Sequence, residues 1–155
     1  MREILFRGQT RRIGEKVKMN GDKVPSDWVY GGILQGTGVF SIIYGCNDVE
    51  DKQACNLGKH TVYTGTIGQY TGLTDKNGKK IFEGDICRFR EWNNGDMCWI
   101  GKVHYEHLQF VISGDKNKEC EIPFTLPMSR FVSEDIEVIG NIYDNPELLE
   151  VSENA

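Results

Sequence analysis

TIGQYTGLTDKNGKKIFEGDICRFRE, Thr66 to Glu91, is the stretch whose reading decides the fold. Asn77-Gly78 lies at its centre, between Asp75-Lys76 and Lys79-Lys80. A two-residue hairpin turn of type I′ needs positive φ at both central positions, and Asn-Gly accepts that at the lowest steric cost. Tyr70–Thr74 and Lys79–Phe82 are therefore predicted as antiparallel strands joined by a polar turn. Glu83-Gly84-Asp85 makes a second turn. Beyond it, Ile86–Glu91 alternates Cys87 and Phe89 with Arg88 and Arg90, the mark of a half-buried strand.

Downstream the same pattern continues. Met97–Tyr105 sets Trp99, Gly101, Val103 and Tyr105 on one face, and Cys98, Ile100, Lys102 and His104 on the other. Leu108–Ser113 alternates again, so Ile86–Glu91, Met97–Tyr105 and Leu108–Ser113 are expected to form an antiparallel meander within a small, partly closed, SH3-like barrel. Asp115–Lys118 is a charged turn and Glu119–Ile122 a short strand. Pro123–Ser133 is apolar without strict alternation, which suits a helical turn across the barrel mouth. Ile136–Tyr143 closes the sheet. Asn145-Pro146-Glu147 has the chemistry of a helix start, with Asn as N-cap and Pro at the first helical position, so a short C-terminal helix docked by Leu148 and Leu149 is expected before a frayed tail, Val151–Ala155.

Upstream, Ile4-Leu5-Phe6 is a strong β former and the predicted first strand. Val17–Val24 suits a hairpin turning at Asn20-Gly21. Trp28–Leu34 and Val39–Tyr44 form another around Gln35–Gly38, rich in β-branched and aromatic residues as a sheet buried on one face requires. Residues 45–60 are polar and read as an exposed loop. Asp48, Glu50 and Asp51 within it lack the glycine and closing glutamate of a calcium loop. The expectation is a single mainly β domain over residues 1–155.

GQYTGLTDKNGKKIFEGDI resembles the central signature of the YopX family, small proteins found mostly in phages and prophages. The resemblance extends to FRGQ (Phe6–Gln9), WVYGGIL (Trp28–Leu34) and IEVIGNIYDNPELLE (Ile136–Glu150), so that matches run from Leu5 to Glu150. One departure is visible: many relatives carry an acidic Pro-Glu-type step before GQYTGL, where this chain has Thr64-Gly65-Thr66. The resemblance implies a mainly β fold and a mobile-element origin. The family has no established activity, so no functional residue is implied by it.

At 155 residues the chain suffices for one domain with a core large enough to fold without staples. Eighteen glycines against four prolines favour tight turns over long helices. No apolar run approaches the length of a bilayer span, and MREILFRGQTRR lacks the hydrophobic core of a signal peptide, so a cytoplasmic location is expected. With five cysteines (Cys46, Cys55, Cys87, Cys98, Cys120) and no CxxC pair, disulfides are not expected in that compartment. Zinc held by these and His60, His104 or His107 lacks finger-like spacing. The net charge of −5 is uneven: residues 1–23 hold seven Lys/Arg against three acids, and residues 134–155 hold seven acids with no Lys/Arg. Ends of opposite charge, together with sheet edges to cover, point to a homo-oligomer.

No catalytic set assembles from the sequence. Phosphate-loop, GxSxG and HExxH motifs are absent. Cys87 with His104 could form a nucleophile–base pair on neighbouring strands, but alternation makes Cys87 a core thiol. Glu83 and Asp85 flank Gly84, where Asp85 is better suited to accepting backbone N–H bonds. His104 and His107 with Glu106 could bind a metal, or serve as solvated turn residues. The expectation is therefore a non-enzymatic protein without cofactor or metal, binding a host or phage protein. The alternative is a module for single-stranded nucleic acid using Arg88, Arg90, Trp92, Lys102 and His104, since backbone charge and base stacking act together on such a face. An acidic chain of pI ≈ 5.2 speaks against a polyanion.

Overall fold

The computed structural model describes residues 2–10, 28–34, 36, 38–46, 58–90, 98–114 and 123–150. They divide between two compact units, Met1–Tyr70 and Thr71–Ala155. The mainly β, antiparallel expectation holds in both. Among the described residues there is no α-helix, and none is long and apolar enough to cross a membrane.

In the first unit, β1 (Phe6–Gln9), β2 (Trp28–Leu34), β3 (Phe40–Cys46) and β4 (Gly58–Tyr63) follow one another in the sheet, and β1 also pairs with the start of β5 (Gly68–Thr74). The β2–β3 hairpin lies where the β-branched and aromatic runs placed it. β1 begins two residues later than Ile4, and Ile4 is left exposed. β4 corrects the loop expectation for Gly58–His60: the strand that includes them pairs with β3 from Gly45↔Gly58 to Phe40↔Tyr63. Val29, Ile43 and Val62, with Ile67 packed against them, form this unit's small core. Thr66 Oγ1 donates to the Tyr63 carbonyl and accepts from Gln9 N–H, so two buried polar groups are satisfied together.

The second unit opens with β5 continuing into β6 (Lys80–Phe82). It then builds a five-stranded sheet from β7 (Asp85–Arg90), β8 (Cys98–Glu106), β9 (Gln109–Gly114), β10 (Phe124–Pro127) and β11 (Ile136–Asn141), in the order β10-β9-β8-β7-β11. The meander β7-β8-β9 is as predicted. The barrel is not: β10 and β11 lie at opposite edges and the sheet stays open. Cys87, Phe89, Trp99, Val103, Ile112 and Ile136 bury one face as the unit's core. There Phe124 meets Phe89 edge-on at 5.6 Å and Trp99 at 5.0 Å. Instead of crossing a barrel mouth, Pro123–Ser133 supplies β10 and a 3-10 turn, Met128–Arg130.

The C-terminal helix is also absent. Pro146–Leu149 is a single 3-10 turn, and the Asn145 side chain does not cap it, because its Oδ1 accepts from Asn141 N–H instead. Cys46 is disulfide-bonded, against expectation. Cys87 and Cys98 are free thiols. The segments Val17–Val24, Trp92–Asp96, Asp115–Ile122, the tail 151–155 and most of the 45–60 loop, for which the sequence carried expectations, lie outside the described residues.

The central turn differs in type from the prediction. Gly78 has φ +81°, but the only non-glycine residues with positive φ among those described are His107 and Leu108, so Asn77 is not left-handed. Asp75 N–H donates to the Lys79 carbonyl at 2.8 Å and Gly78 N–H to the Asp75 carbonyl at 3.0 Å. This is the pattern of a type I turn followed by a left-handed glycine. The reason lies in Asp75, whose Oδ1 accepts from both Asn77 N–H (2.8 Å) and Lys79 N–H (2.9 Å) and so holds Asn77 on the negative-φ side. A Cβ at Gly78 meets nothing within 4 Å, so Gly78→Val is penalised by backbone strain alone. A loss of about 1–3 kcal/mol is expected. An unchanged thermal midpoint would remove the left-handed residue from this position.

Candidate functional site

Registers show which side chains share a face, because residues directly opposite in a ladder point the same way. Arg88 faces Ile100 and Arg90 faces Cys98 across β7–β8, while Lys102 stands opposite Ile86 and Ser113, and His104 opposite Val111. Arg88, Arg90, Lys102 and His104 thus lie on the face of the five-stranded sheet away from the core. Trp92 lies outside the described residues.

Acids are interleaved with this row. Glu137, opposite Arg88 on β11, takes Lys76 Nζ at 2.9 Å and Arg88 Nη2 at 3.1 Å on the same oxygen. The hydrogen bond from Lys76, then that from Arg88, holds its carboxyl below the ordinary 4.5. A lowered carboxylate contributes stability above its unfolded value and loses it as pH falls through the folded one. Since Glu137 is half-buried and its partners Lys76 and Arg88 reach solvent, screening keeps that contribution small. Glu106 likewise takes His104 Nε2 at 3.0 Å and His107 Nδ1 at 3.2 Å. In this row the Arg88 charge is met by Glu137, and His104 is hydrogen-bonded to Glu106.

The chemical candidates do not converge. Cys87 is fully buried on the core face, opposite Gly101, whereas His104 is on the other face of the sheet. Asp85, also buried, accepts from Phe82 N–H at 2.8 Å, the turn-closing role its position suggested. Among the described residues, no group of three or more His, Cys, Asp or Glu side chains is placed to hold a metal ion. Cys55, Cys120, Asp48, Glu50 and Asp51 lie outside them.

A second surface was missed by sequence reasoning. In the first unit, Leu34 faces Ile42, Phe40 faces Tyr63, and Tyr44 stands between Gly32 and Lys59, all on the side opposite Ile43 and Val62. Leu34 (70%), Tyr44 (56%) and Phe40 (52%) are largely solvent-exposed, and the Phe40 and Tyr63 rings meet at 4.8 Å. Lys59 and Thr61 edge this apolar patch on β4. The signal was present in FSIIYGC, where Phe40, Ile42 and Tyr44 alternate with Ser41, Ile43 and Gly45. Apolar side chains of both parities say that both faces are apolar, without saying which one is covered. The fold buries the parity carrying Ser41 and Gly45, and leaves the aromatic parity outside.

Comparison with known proteins places a match to the family model described as YopX protein over residues 22–150. No curated protein matches. Among solved structures, the chain is similar to the crystal structure of protein EF1440 from Enterococcus faecalis, with 22% identity, a TM-score of 0.45, and coverage of 96% of this chain and 99% of that one.

Proposed function

This chain belongs to the YopX family, and from that premise we propose that it is a non-catalytic protein of phage or prophage origin that works by binding another protein. The observation that supports this is the exposed patch of Leu34, Phe40, Ile42, Tyr44 and Tyr63 on one side of a three-strand ladder. Contiguous apolar patches of this kind mark contact surfaces, and aromatic anchors supply most of the energy in protein interfaces. The basic row suits nucleic acid less well, since Arg88 and His104 each already have an acidic neighbour and the chain is acidic overall.

The test compares wild-type protein with the double variant Phe40→Asp, Tyr44→Asp as bait in host-cell extract during phage replication, alongside a labelled single-stranded oligonucleotide. The double variant is expected to retain its fold and to recover at least about tenfold less partner. The oligonucleotide is expected to stay at background. If instead it shifts, with an affinity that falls steeply with salt and depends on Arg88, Arg90 or Trp92, the nucleic-acid reading replaces this one. Sedimentation identifies the case in which the partner is a second copy of the chain.

A further inference from the structure

The β8–β9 hairpin turns through His107 and Leu108, with φ of +47° and +65°, between the paired residues Glu106 and Gln109. Positive φ at both central positions is the type I′ arrangement that Asn-Gly ordinarily supplies. His tolerates this region; Leu is a true outlier in it. Among the described residues no apolar packing offsets this, because Leu108 is 89% exposed. An isolated strained residue points to a use for its side chain.

The base beneath it is cross-linked by side-chain contacts. Glu106 joins His104 and His107, Ser113 Oγ lies 3.4 Å from His104 Nδ1, and the Tyr105 and Phe110 rings pack edge-on at 5.1 Å. We infer that this tip is a docking knob, whose Leu108 side chain enters an apolar pocket of leucine size in a partner protein. The chemistry selects a protein among possible partners. Residues 103–114 contain no Lys or Arg to meet phosphates of a nucleic acid or an anionic lipid. A single leucine beside the Glu106 carboxylate is also a poor membrane insert. The inference rests on the protein-binding reading, and adds a contact point of its own.

A photoreactive side chain at Gln109, beside an intact Leu108, captures the partner from host-cell extract. The captured protein is then purified, and its affinity measured for full-length wild type, Leu108→Gly, Leu108→Asp and Leu108→Met. Leu108→Gly is expected to weaken binding at least about tenfold, while raising the thermal midpoint by about 3–6 °C through release of the strain. Leu108→Met is expected to keep affinity within a few-fold. A variant that is more stable and yet binds worse separates a docking role from a structural one. The inference is overturned if Leu108→Gly leaves the midpoint unchanged or lowers it, if it binds like wild type, if no adduct forms at Gln109, or if phosphatidylserine vesicles bind in a Leu108-dependent way. A partner that depends on Phe40 and Tyr44 but ignores residue 108 removes the knob and leaves the proposed function standing.

Discussion

Asp75→Ala is expected to destabilise the protein by roughly 4 kcal/mol, with a fall in thermal midpoint of about 10 °C. The Asp75 carboxylate is 2% exposed and accepts three backbone N–H groups: Asn77 and Lys79 within the turn, and Val138 on β11 at 3.0 Å. Alanine leaves all three without that partner, and each buried unsatisfied group costs about 1–3 kcal/mol. The loss is not only local. Lys76 N–H donates to the Ile136 carbonyl and Lys76 Nζ reaches Glu137, so this turn fastens the central hairpin to β11, and β11 in turn completes the sheet edge beside β7. Asp75→Asn keeps one acceptor and turns a donor toward another donor, so an intermediate loss is expected. Ala and Asn variants that both melt with the wild type would show that the carboxylate is not what holds the turn.

This turn also shows how far the sequence could be read. Asn77-Gly78 located the hairpin, because few dipeptides accept a left-handed residue. It could not fix the turn type, because that depends on the Asp75 side chain and on Val138, 63 positions away. Strand positions followed from alternation wherever one face meets a core, as in β7 and β8. Whether a sheet closes depends on the pairing of its edges, which alternation does not encode, and the barrel expectation failed there. Asn145-Pro146 carried a helix signal, but two leucines in four residues are too short a segment to meet the cost of nucleating an α-helix. The basic row was legible as a face. That Glu137 sits among it was not, since β11 is distant in sequence. Leu108 gave no signal in sequence, for the turn it occupies is one that sequence rules assign to Asn-Gly.

Gly45→Ala is expected to disrupt β2–β3 pairing, at a cost of roughly 3 kcal/mol or more. Gly31 and Gly45 stand opposite each other in the ladder, and a Cβ at Gly45 would run into the Tyr30 carbonyl oxygen, with Tyr30 C and Gly31 Cα both at 2.7 Å. The obstacles are backbone atoms, which no rotamer change can move aside, so the strands themselves must separate. Separation breaks the ladder that sets Leu34 beside Ile42 and Tyr44 beside Lys59, and the apolar patch loses its shape along with the sheet. Gly32→Ala, one residue from Gly31, is the control, because a Cβ there meets nothing within 4 Å. It is expected to change stability by less than about 1 kcal/mol. Amide exchange across Trp28–Leu34 and Phe40–Cys46 should accelerate sharply in Gly45→Ala and hardly at all in Gly32→Ala. Equal protection in the two variants would mean that the strands do not approach as closely as the geometry requires, and the patch would then owe its shape to something other than this glycine pair.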